Sequence, residues 1–92
     1  MRPHRLPLLV SLIQDTMIVV KLRQAMSGYA RRTGERMTYE RLSQRTGIAR
    51  ATLEAIGSRP EYNTTLDTIE RICRALDCDL VDLLEFRAGP DQ

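Results

Sequence analysis

Apolar residues recur at helical spacing through most of the chain, and the breaks in that spacing mark out five helices. The first is expected over residues 21–33, where Leu22, Ala25, Met26 and Tyr29 share one face and Gly34 ends the run. Arg31 and Arg32 sit in its last turn, where cations suit the helix dipole. Thr38 is a good N-cap for a second helix over residues 39–46. A third is expected over residues 50–56, ended by Gly57. Ala49 at its N-cap is poor capping chemistry, so this helix depends on tertiary packing. Residues 57–64 form a loop held by Pro60. Thr65 caps a fourth helix, residues 66–76, with Leu66, Ile69, either Ile72 or Cys73, and Leu76 inward. Asp79 caps a short fifth helix, residues 80–84. Two flanking segments leave the helical period. Met17-Ile18-Val19-Val20 is rich in β-branched residues and reads as a short strand, and Glu85-Phe86-Arg87 is a candidate for a second. The expected core is Leu22, Leu42, Ile48, Leu53, Ile56, Leu66, Ile69, Cys73, Leu76, Leu80 and Leu84.

One stretch of this pattern is more specific than the rest. Leu42 is apolar, Ser43 is small, Gly47 follows four residues later, and Ile48, Leu53 and Ile56 complete the set. A small Ser43 lets the third helix approach the second. Gly47 takes the positive φ of a tight turn without a Cβ clash. Leu42, Ile48, Leu53 and Ile56 then point into one core. This is the pattern of a helix-turn-helix, whose second helix enters the DNA major groove.

Composition sharpens the reading. Ninety-two residues with 42% apolar content make one domain with a small core, for which dimerisation is a reasonable expectation. The net charge of +2 conceals an asymmetry: residues 21–59 carry nine basic and three acidic residues, and residues 60–92 carry three basic and eight acidic. The basic block coincides with the helix-turn-helix, as a phosphate-facing surface requires. Cys73 and Cys78 have no second cysteine pair or histidine cluster to complete a zinc site, and they read as small buried thiols of a reducing cytoplasm. No metal and no cofactor is expected. Residues 6–13 are apolar behind Arg2 and Arg5, but Pro7 interrupts the run, no small-residue cleavage site follows, and the segment is too short to span a membrane. The expected division is an N-terminal extension (residues 1–16), a helix-turn-helix domain (residues 17–87) and a C-terminal tail (residues 88–92). Met17 is a second candidate translation start.

Taken together, the chain resembles the Cro/CI (Xre) helix-turn-helix family. The resemblance is carried by Leu22-Arg23, by Met37-Thr38-Tyr39-Glu40-Arg41-Leu42-Ser43, and by Arg45-Thr46-Gly47-Ile48-Ala49-Arg50-Ala51-Thr52-Leu53. It continues through Thr65-Leu66-Asp67-Thr68-Ile69, Ile72-Cys73-Arg74-Ala75-Leu76 and Leu80-Val81-Asp82-Leu83-Leu84. It implies an all-α, five-helix, lambda-repressor-like domain that binds operator DNA, usually represses transcription and is commonly dimeric. The short strands flanking the helices would pair into a two-stranded sheet. The chain departs from the family in a longer segment between Leu22 and Met37, and in Tyr39 and Ala49 where Gln and Ser or Thr are common.

The resemblance maps Ala49, Arg50, Ala51, Thr52 and Ala55 onto the groove-facing, base-reading set. Arg50 has the strongest physical case, because a guanidinium makes two hydrogen bonds to guanine O6 and N7. Ala51 and Ala55 can meet a thymine methyl, Thr52 can reach a base or a phosphate, and Glu54 can accept from cytosine N4 or pair with an arginine of a neighbouring helix. Backbone candidates are Thr38 and Tyr39, at a helix N-terminus where free N–H groups favour an anion, and Ser58, Arg59, Asn63 and Thr64 in the loop after the third helix. Arg41 and Arg45 add positive field. Packing is the competing role for Tyr39 and Tyr62.

The leading function is a sequence-specific DNA-binding regulator, a repressor acting as a homodimer in the cytoplasm. The alternative is the antitoxin of a toxin–antitoxin pair, with residues 6–13 as the surface for a protein partner. No paired carboxylates, nucleophile–base pair or phosphate-cradling glycine loop stands at a useful spacing, so no enzyme is expected.

Overall fold

The computed structural model describes residues 17–87. The N-terminal extension, with its expected partner surface at residues 6–13, and the tail at residues 88–92 lie outside the described residues. The element order is β1 (Met17–Val20), α1 (Leu22–Thr33), α2 (Tyr39–Thr46), α3 (Arg50–Ser58), α4 (Leu66–Leu76), α5 (Leu80–Leu83) and β2 (Leu84–Arg87). Five helices and one small sheet are what the hydrophobic pattern anticipates.

The strands pair antiparallel, with Met17 opposite Arg87, Ile18 opposite Phe86, Val19 opposite Glu85 and Val20 opposite Leu84. β2 starts at Leu84, where the fifth helix was expected to end, so that residue belongs to the ladder. A two-stranded ribbon is marginal alone. Here β1 is tied to the bundle where it runs into α1: the Val20 amide donates to the Pro60 carbonyl (2.8 Å) and the Lys21 amide to the Leu83 carbonyl (2.7 Å).

Most helix ends have an identifiable local cause. Gly34 and Gly47 take the left-handed conformation after α1 and α2, at φ 78° and 77°. Thr38 and Thr65 cap α2 and α4, their hydroxyls accepting from the Arg41 and Thr68 amides, each at 3.1 Å. α3 has no side-chain cap at Ala49, as its sequence predicts. It runs through Gly57 to Ser58, so Gly57 lies inside the helix and does not terminate it. After α4, Asp77 adopts φ 51°, the Asp77 amide reaches the Arg74 carbonyl (3.3 Å) and the Cys78 amide reaches the Cys73 carbonyl (3.1 Å). That paired closure is a Schellman motif, and it brings Cys73 and Cys78 together. Arg32 of α1 donates to the Leu76 carbonyl at 2.6 Å and completes the end of α4.

Leu22, Leu42, Leu53, Ile56, Ile72, Leu76 and Leu83 are fully buried, and Val19, Val20, Ala25, Met26, Tyr29, Met37 and Ile69 join them. The expected core needs correction at five positions. Leu66 is 83% exposed and Leu80 56% exposed. Each is the first residue of its helix, and the helix end projects past the core there. α5 is a single turn and turns only Leu83 inward. Ile48, Cys73 and Leu84 are half-buried against the core rather than inside it. Between Ile72 and Cys73, it is Ile72 that is buried.

Candidate nucleic-acid interface

The turn between α2 and α3 sets the geometry of the exposed face. Three hydroxyl contacts lock it. The Ser43 hydroxyl donates to the Ile48 carbonyl at 2.6 Å. The Thr46 hydroxyl donates to the Leu42 carbonyl at 2.8 Å and accepts from the Ile48 amide at 3.1 Å. Ser43 therefore does more than allow close approach, because it fastens α2 to the turn. Leu53 and Ile56 anchor α3 in the core, so helical period turns its other side outward.

On that outer side Ala49, Arg50 and Ala51 are exposed, while Thr52, Glu54 and Ala55 are half-exposed. The Arg50 side chain is held in place. Its Nε donates to Glu54 Oε2 at 2.8 Å, one turn along the same helix. Its Nη1 lies 3.5 Å from Glu40 Oε1 on α2. Glu54 thus pairs within its own helix, not with a neighbouring one. The Glu54 contact, with Glu40 behind it, shifts the Arg50 guanidinium pKa upward from its ordinary value.

Beside α3 lies an open cleft of about 820 Å³. Arg23, Arg31, Arg36 and Arg50 line it, together with Thr38, Tyr39 and Glu40 at the start of α2. Arg41 stands next to it, with Nη2 on Glu35 at 3.3 Å and a further bond to the Arg36 carbonyl. Four guanidinium groups against one carboxylate make this cleft an anion-attracting surface, and the α2 N-terminus reinforces it. The sequence placed Arg31 only at a helix C-terminus and Arg23 only within the resemblance, and assigned neither to the interface. Their signal was present, since Arg23, Ser27 and Arg31 recur every four residues and so share a face of α1.

The basic block does not act as a unit. Lys21 pairs with Glu85 at 3.7 Å. Arg32 caps α4. Arg45 donates to the Tyr29 hydroxyl at 3.0 Å and lies 5.6 Å from that ring's centre. It lines a different hollow, with Arg71 and Arg74, and is not grouped with Arg50.

The expected backbone-binding residues divide into two groups. Thr38 and Tyr39 stand in the cleft, but the Tyr39 hydroxyl is buried with no hydrogen-bond partner among the described residues. Its side chain packs against the core, so only its amide is suited to an anion. Ser58 is the last residue of α3, not part of the loop. Arg59 follows it, exposed, with its guanidinium 4.9 Å from the centre of the half-buried Tyr62 ring. Asn63 is exposed and Thr64 half-exposed in the same loop. Among the described residues no three His, Cys, Asp or Glu side chains converge on a metal-sized site. No described helix is long and apolar enough to cross a membrane.

Residues 34–89 match the family described as the Cro/C1-type HTH DNA-binding domain, a span holding α2 to α5 and the whole helix-turn-helix. The chain is also similar to a Bacillus subtilis (strain 168) protein, the uncharacterized HTH-type transcriptional regulator YozG. The two are 38% identical over 56 residues, covering 61% of this chain and 67% of that protein. No solved structure matches the chain significantly. The locked turn, the outward face of α3 and the family match over most of the described domain agree, and the chain belongs to the Cro/C1-type helix-turn-helix family of DNA-binding domains.

Proposed function

We propose that the protein is a sequence-specific transcription regulator that represses from a palindromic site as a homodimer. α3 enters the major groove and presents Ala49, Arg50, Ala51, Thr52 and Ala55 to base edges. Thr38 and the Tyr39 amide on one flank, and Ser58, Arg59, Asn63 and Thr64 on the other, contact the phosphates. Arg23, Arg31 and Arg36 extend the first flank. The observation that carries the reading is the cleft in which Arg23, Arg31, Arg36 and Arg50 meet the N-terminus of α2 beside the exposed face of α3. Transcription regulation is also what the name of the Bacillus subtilis relative states of that protein. Such a regulator acts in the cytoplasm, with its DNA.

The homodimer rests on the sheet. Ile18 and Phe86 face each other across the ladder, 55% and 72% exposed. A second copy covering these side chains supplies the packing that a two-stranded ribbon lacks. A two-fold axis there sets two α3 helices about one DNA turn, ~34 Å, apart.

Selection of bound fragments from a random duplex pool tests the reading. The expected product is an inverted repeat with guanine in each half-site. Arg50→Ala is expected to flatten the preference at that guanine. A pool that shows no enrichment, or an Arg50→Ala protein with the parent's preference, overturns it.

A further inference from the structure

Arg50 differs from a free surface arginine because two carboxylates on different helices hold its head. Glu54 takes the Nε hydrogen at 2.8 Å, and Glu40 approaches Nη1 at 3.5 Å. A guanidinium has five N–H donors in a planar fork. It grips a flat acceptor pair either side-on, through Nε and Nη2, or end-on, through Nη1 and Nη2. With Nε bound to Glu54 the side-on grip is closed. Glu40 can be served by the Nη1 hydrogen on the Cδ side, which leaves the end-on edge a donor on each terminal nitrogen. Guanine offers O6 and N7 as two adjacent acceptors in the major groove, whereas adenine offers N7 beside an amino donor.

The carboxylates have a second effect. An arginine at the rim of a major groove has a nearby alternative partner in the phosphate backbone, which carries no sequence information. Glu54 and Glu40 compete with that partner and repel the phosphates that would replace them. The two effects act in opposite directions on binding, since they improve discrimination and weaken attachment to DNA at large.

Resting on the reading that Arg50 reads a base, we infer that Glu54, with Glu40 in support, is a positioning and specificity-determining residue. It holds the Arg50 guanidinium end-on to guanine and keeps it off the phosphates. The two parts of this role separate chemically. Glu54→Gln retains an acceptor for Nε and removes the charge. Glu54→Ala removes both. Glu54 is a half-exposed helix residue and alanine is a good helix former, so both variants keep the fold, which circular dichroism checks.

The experiment measures affinity of the parent, Arg50→Ala, Glu54→Ala, Glu54→Gln and Glu40→Gln for three duplexes at one salt concentration. These are the selected site, that site with adenine in place of the half-site guanine, and an unrelated sequence. Arg50→Ala is expected to reduce the guanine-to-adenine ratio by about tenfold or more. Glu54→Ala should reduce the ratio to within about threefold of Arg50→Ala while binding the unrelated duplex at least as tightly as the parent. Glu54→Gln should retain more of the ratio than Glu54→Ala and share the tighter unrelated binding. Glu40→Gln should show a smaller loss, in keeping with its longer contact. A folding defect would weaken binding to all three duplexes and cannot imitate this split. If Arg50→Ala flattens the ratio but Glu54→Ala retains the parent's value, the positioning role is overturned and base reading by Arg50 stands. An unchanged ratio in Arg50→Ala overturns both.

Discussion

The ring of Tyr39 occupies the space that a β-carbon on Gly57 would need: such an atom would overlap the Tyr39 hydroxyl oxygen and press on the ring carbon that bears it. The relationship fastens the first turn of α2 to the last turn of α3, across the helix pair that carries the candidate interface. It accounts for a glycine inside a helix, where glycine is otherwise unfavourable by about 0.5–1 kcal/mol relative to alanine. It also accounts for the buried Tyr39 hydroxyl, which has no partner among the described residues. Gly57→Ala is therefore expected to destabilise the fold by about 1–3 kcal/mol through overpacking, despite alanine's better helix propensity. Tyr39→Phe removes the orphaned hydroxyl and should be neutral or stabilising. The double variant should recover part of the loss, giving a favourable coupling of at least about 0.5 kcal/mol in a urea-unfolding cycle.

Ser43→Ala tests the lock on the turn. Losing the hydroxyl leaves the half-buried Ile48 carbonyl without that donor and is expected to cost about 0.5–1.5 kcal/mol. Because the same bond aims α3, DNA affinity should fall while the helical content measured by circular dichroism stays at the parent's level.

Salt titration measures how many phosphates are contacted. With about four to six neutralised, the logarithm of the binding constant should fall with the logarithm of salt concentration at a slope of about −4 to −5. Arg59→Ala is expected to make the slope about one unit shallower and to weaken all sequences alike. Arg23→Ala and Arg31→Ala should behave in the same way.

Burial and the neighbouring Cys73 push the Cys78 thiol up to about 11, from an ordinary value of 9.0. The folded state thus favours the protonated thiol. Its contribution to stability is complete below pH 9 and is lost as pH rises through about 11. Alkylation of Cys78 by iodoacetamide should be slow at pH 8 and speed up about tenfold per pH unit as the thiolate forms. Cys78→Ala should lose less stability than the parent between pH 8 and pH 11 in urea-unfolding measurements.

Light scattering at micromolar concentration tests the sheet as a self-association surface. The expected result is a dimer for the parent and a monomer for Phe86→Asp. A parent that is monomeric both free and on its selected DNA, or a dimer indifferent to Phe86→Asp, refutes the surface.

Local chemistry made much of this protein legible in its sequence. Thr38, Thr65, Gly34 and Gly47 set helix limits through side-chain caps and left-handed turns, interactions that span a few residues and so are visible in linear order. The strands and the helix-turn-helix spacing were legible for the same reason. The tertiary structure decided whatever depends on partners distant in the chain. Gly57 reads as a helix stop until Tyr39 is packed against it. Leu66 and Leu80 carry the right apolar chemistry at the right period, yet they sit where their helices outrun the core. The basic block is uniform in sequence, but long-range contacts assign Arg32 to a helix end and Arg45 to Tyr29. They leave Arg23, Arg31 and Arg36 around the cleft beside Arg50. Helical period states which way a side chain points, and only the packed fold states what it meets there.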